Sequence, residues 1–90
     1  MVTNMEKQTN NNEIWEEIEQ HGVPCKIELL CDYKKSYTGP GEEYVPLGSV
    51  ENKKVHVYVE ELKRDKDNVL WGRLRSGEGW IDLNDVEFCN

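Results

Sequence analysis

Ninety residues make one small domain, with room for a modest core but not for a core and a deep substrate cleft together, so catalysis is not expected. The formal net charge of −7 is unevenly spread: residues 1–24 carry five acids and one base, residues 25–90 thirteen acids and ten bases. That balance offers no clustered basic face for nucleic acid, and the absence of any long apolar run excludes a secretory signal and a helical membrane span. A cytoplasmic chain is expected, and basic partners stay open.

Residues 1–9 are polar and read as a disordered lead. Residues 10–22 (NNNEIWEEIEQHG) predict a short helix, with Asn10 as cap and Glu13 three positions on, Ile14, Trp15 and Ile18 as its apolar stripe, and Gly22 and Pro24 ending it. Acids near its start suit the positive end of the helix dipole. The stripe is expected to pack on the domain, and docking on a partner is the alternative.

From Cys25 the period changes to that of a strand. In CKIELLCDY, residues 25–33, alternation places Cys25, Ile27, Leu29 and Cys31 on one inward face. Residues 34–43 form a long connection ending in the turn chemistry of GPG at 39–41. YVPLGSV, residues 44–50, reads as an irregular edge strand because Pro46 is tolerable only at an edge or bulge. Residues 54–62 are the clearest strand, Val55, Val57 and Val59 facing in and Lys54, His56, Tyr58 and Glu60 facing out. KRDKDN, residues 63–68, is a charged loop.

Residues 70–86 (LWGRLRSGEGWIDLNDV) organise the rest. With Ser76 and Gly77 in a two-residue turn, Arg73 faces Trp80, Gly72 faces Ile81 and Trp71 faces Asp82. Leu70, Gly72, Leu74, Gly79, Ile81 and Leu83 then share a core face, while Trp71, Arg73, Arg75, Glu78, Trp80 and Asp82 share the other. A single helical turn at 82–85 and a closing strand at 86–89 complete the chain. Five short strands, one helix and no repeat predict a mainly β fold, a small partly open barrel.

Residues 29–88 resemble Src-homology-3-like (SH3-like) domains, particularly the bacterial branch. The match is carried by Asp32 and Tyr33, the GPG with Tyr44 followed by LGSV, the valine strand at 55–59, WGRL at 71–74 and GEGWIDLNDVE at 77–87. The resemblance implies a five-stranded SH3-like barrel and leaves residues 1–24, with the N-terminal helix, unaccounted for. It also implies a peptide groove to which Tyr33 and Trp71 correspond, with acids of the first long loop choosing a basic anchor. Asp82 stands where the family has a groove proline and Asp85 where it has a tyrosine, so polyproline binding is not expected. Bacterial members are commonly appended to cell-wall enzymes, a role this chain's lack of an export signal does not suit.

Chemistry of other kinds finds little footing. His21, Cys25, Cys31 and Cys89 lack the short cysteine pair of a zinc site and read as structural thiols, an odd number suited to a reducing compartment, so no metal or cofactor is expected. His56 and Cys31 point to opposite faces, which excludes a Cys–His nucleophile. The expected activity is non-catalytic binding of a protein or peptide through an exposed aromatic face built from Tyr33, Tyr37, Tyr44, Trp71 and Trp80, with Arg73 stacked on Trp80. Its counterpart is that residues 10–22 cover those tryptophans as a second small core. The alternative function is that of a small acidic inhibitor, setting Glu13, Glu16, Glu17, Glu19, Glu42 and Glu43 on the basic nucleic-acid channel of a larger enzyme.

Overall fold

The computed structural model describes residues 11–89. The disordered lead expected at 1–9 and the capping role of Asn10 lie outside them. A helix, α1 (Asn11–His21), precedes seven strands: β1 (Cys25–Leu29), β2 (Tyr33–Tyr37), β3 (Pro46–Glu51), β4 (Val57–Arg64), β5 (Leu70–Leu74), β6 (Trp80–Asp82) and β7 (Val86–Phe88). The strands form one antiparallel sheet in the order β3-β2-β6-β5-β4-β1-β7. Val50 from one end of that order and Val86 from the other enter the same apolar cluster with Ile27, Val59, Leu74 and Ile81, so the sheet curls around its core. No helix among the described residues is long and apolar enough to cross a membrane.

The closing hairpin has the register its alternation predicts, with Trp71 opposite Asp82, Gly72 opposite Ile81 and Arg73 opposite Trp80. Leu70, Leu74, Ile81 and Leu83 are buried in the main cluster, as expected. Gly79 takes φ +107, and a methyl group there would lie 2.5 Å from the Tyr37 carbonyl oxygen, so only glycine lets the turn close against β2.

Several expectations need correction. The run at 25–33 is two strands, because residues 30–32 turn a corner. Asn52 holds that corner, its Nδ2 donating to the carbonyls of Leu29 (3.0 Å) and Cys31 (3.1 Å) and its N–H to Asp32 O (2.8 Å). Cys31 therefore leaves the inward row that Cys25 joins, and the first half of the expected connection is β2. Strand β4 begins only at Val57, so Val55 lies outside it and is 61% exposed, Val57 is half-buried and Val59 alone is fully buried. Residues 83–85 make a bend rather than a helical turn, with Asp85 at φ 54 and its carbonyl accepting from Leu30 N. Seven strands replace five.

The helix packs its stripe inward, Ile18 fully buried and Trp15 nearly so in the main cluster, and the Trp15 indole donates to Leu83 O at 2.8 Å. Gly22 N–H donates to Ile18 O and closes the last turn. Arg64 lies 5.2 Å over the Trp15 ring and donates through Nε and Nη2 to both Glu19 oxygens, at 3.1 and 2.9 Å. Hydrogen bonding from Arg64 holds the Glu19 carboxyl below its ordinary range, with burial opposing and Coulomb attraction adding. A depressed folded pKa stabilises above the unfolded pKa and is lost as the pH falls through the folded one. Glu19→Gln is accordingly expected to lower stability at pH 7 by less than about 1 kcal/mol, the pair being exposed. In acid melts the gap to the wild type closes; a gap unchanged at pH 3 would remove the pair from the account.

Candidate acidic cleft

Trp71 and Trp80 do lie on the face opposite the aliphatic layer, but they are not exposed: Trp71 is 2% and Trp80 9% accessible. Nor does the helix cover them. The cover is the β2–β3 hairpin, in which Tyr37 pairs with Trp80 and stands edge-on to the Trp71 ring at 5.7 Å. Lys34, 9% exposed, reaches from β2 to Asp82, Nζ to Oδ1 at 2.7 Å. Leu47 of β3 lies against Gly79.

The expected site residues therefore separate. Tyr37, Trp71 and Trp80 come together as packed structure, while Tyr33 stays 60% exposed at the start of β2. Tyr44 lays one face of its ring on Gly39, where no side chain would fit, and remains 42% exposed. Arg73 does not stack on Trp80; its Nε donates to Glu61 at 2.9 Å, while Arg75 donates to Glu60 at 2.8 Å and lies 4.7 Å over Tyr58.

Of these aromatic residues Trp71 alone lines a cleft, of about 410 Å³, between the 38–45 loop and the 65–69 loop. Glu42 and Glu43 stand on one wall, Asp65 and Asp67 on the other, and Asp82 adds a fifth carboxylate that Lys34 already neutralises, with Lys66 the one basic residue of the lining. Short backbone bonds shape the first wall, Thr38 N–H to Val45 O (2.9 Å), Gly41 N–H to Gly39 O (2.9 Å) and Tyr44 N–H to Gly41 O (3.2 Å). Asp65 shapes the second. Its Oδ1 accepts from Asp67 N–H (2.8 Å) and Val69 N–H (3.0 Å), and its Oδ2 accepts from the Trp71 indole (2.8 Å). Burial works to raise the Asp65 pKa, but the N–H groups of Val69, Trp71 and Asp67 prevail and hold it below the usual carboxylate range.

Asp65 is thus the residue that sequence reasoning missed: KRDKDN reads as a solvated loop, and only an Asp four positions before a buried Val-Leu-Trp run hints at a cap. A larger hollow, about 500 Å³, lies between β3, residues 53–57 and the 75–78 turn. Its lining mixes Lys53 and Arg75 with Glu51 and Glu78, so it selects no ligand charge. Compared with protein-family models, with curated proteins and with solved structures, the chain matches none.

Proposed function

We propose that this chain is a non-catalytic interaction module built on an SH3-like barrel, and that the acidic cleft takes a basic side chain from a protein or peptide partner. The strand order supports the barrel reading: β6-β5-β4-β1-β7 is a run of five, and the β2–β3 hairpin is inserted as one long excursion between β1 and β4. The observation that carries the function is the convergence of five carboxylates from three separate segments around one indole. A lysine or arginine entering there gains charge-assisted hydrogen bonds to the exposed carboxylates of Glu42, Glu43 and Asp67. The carboxylates of the lining keep this surface wet, which disfavours a polyproline ligand.

The test is a titration of lysine- and arginine-containing peptides against the full chain, followed by fluorescence anisotropy. Affinity is expected to fall with salt and to drop at least about tenfold in the variant Glu43→Gln with Asp67→Asn, two exposed positions that leave the Asp65 cap intact. Equal binding to the variant, or a preference for peptides without basic residues, would overturn the cleft reading. Strong binding to a basic nuclease that survives the cleft variant would favour the inhibitor reading, in which the whole acidic surface acts.

A further inference from the structure

Away from the cleft, the outward face of β4, β1 and β7 gathers a different set of side chains. Ile27 pairs with Val57 on one side and Phe88 on the other, and its own side chain is fully buried. Its successor Glu28 therefore points away from the core, next to His56, which directly precedes β4, and opposite Glu87 of β7. Cys89, two residues beyond Glu87, returns to the same face, held in line by its N–H bond to Lys26 O at 2.9 Å. The result is that a carboxylate oxygen of Glu28, an imidazole nitrogen of His56 and the Cys89 sulfur all lie within 4.8 Å of one another. Glu28 and Cys89 are half-buried and His56 is exposed.

We propose that Glu28, His56 and Cys89 form a binding site for a transition-metal dication, zinc above all. The donor set is one thiolate, one imidazole and one carboxylate, the combination that suits zinc and not the all-oxygen shells of calcium or magnesium. Tetrahedral zinc holds its donors about 3.5 Å apart, so side-chain rotations of about an ångström complete the site while the ladder stays fixed. Three protein donors leave the fourth position to water. Among the described residues, the other charges that act on Cys89 are those of Glu87 and Lys26, which oppose each other, so the Glu28 carboxylate and the thiolate balance the dication. On binding, the Cys89 S–H proton passes to solvent as the sulfur–metal bond forms. The pattern is invisible in sequence because its members lie 28 and 33 residues apart and form no local motif.

Cobalt is the probe. The full chain, stripped with chelator and kept reduced with a phosphine, is titrated with Co²⁺ alone. A sulfur-to-cobalt charge-transfer band in the near ultraviolet is expected, abolished by Zn²⁺ and untouched by excess Mg²⁺. Cys89→Ser should remove the band, Cys31→Ser should keep it, and His56→Ala should weaken Zn²⁺ binding at least about tenfold. Circular dichroism verifies that each variant is folded, as the surface positions of His56 and Cys89 lead one to expect. No band, a band that survives Cys89→Ser, or displacement by Mg²⁺ would each overturn the assignment.

Discussion

Trp71→Ala is expected to be among the most damaging single substitutions in the chain, lowering stability by about 4 kcal/mol, as removal of a large buried aromatic side chain does. Three contributions combine there. The indole is all but inaccessible, Tyr37 rests edge-on against it, and its N–H satisfies Asp65, whose carboxylate also organises the 65–69 loop. Small domains have total stabilities of about 5–10 kcal/mol, so the variant should keep only about 1–6 kcal/mol and unfold at a much lower urea concentration. Urea melts followed by circular dichroism measure it. Trp71→Phe, which keeps much of the volume and loses the N–H, should fall between. An unchanged midpoint for the alanine variant would mean that the indole belongs to a free surface after all.

The second large effect is expected at Asp82. Removing its carboxylate strands the Lys34 ammonium in a site 9% exposed and withdraws the acceptor for Asn84 N–H, so Asp82→Ala should cost about 3 kcal/mol. A paired replacement, Lys34→Met with Asp82→Leu, removes both charges and should recover most of that loss, because the penalty comes from a buried charge without its partner. A double-mutant cycle of melts separates the two accounts. Additive losses, with the double variant worse than either single one, would show that the ion pair is incidental.

Both residues illustrate what could be read in advance and what could not. Alternation is a local property, and it placed Trp71, Asp82, Leu74 and Ile81 on the correct faces with the correct cross-strand partners. Whether a face is covered is not local. The cover comes from YKKSY, a stretch whose lysines and serine look solvated, yet whose Lys34 and Ser36 are buried. Lysine can do this because its stem is apolar and Asp82 meets its end. The broken strand at 30–32 escaped for a similar reason: CKIELLCDY alternates without interruption, and the corner is held by Asn52, 21 and 23 residues downstream of the carbonyls its side chain engages.

The candidate site divides along the same line. Trp71 and Trp80 were legible as strand residues of fixed parity, but Tyr37 read as part of a connection, Tyr33 and Arg73 belong elsewhere, and three of the cleft acids, Asp65, Asp67 and Asp82, had no common pattern to mark them. Two loops and one strand end bring them together. Only the fold makes them neighbours.

The bond from Trp15 to Leu83 ties the helix to the bend at 83–85, and the same bend receives Leu30 at the first corner of the sheet. Helix, bend and corner thus lean on a single three-residue stretch. Helix α1 is therefore expected to unfold together with the strands it seals and not to fray on its own.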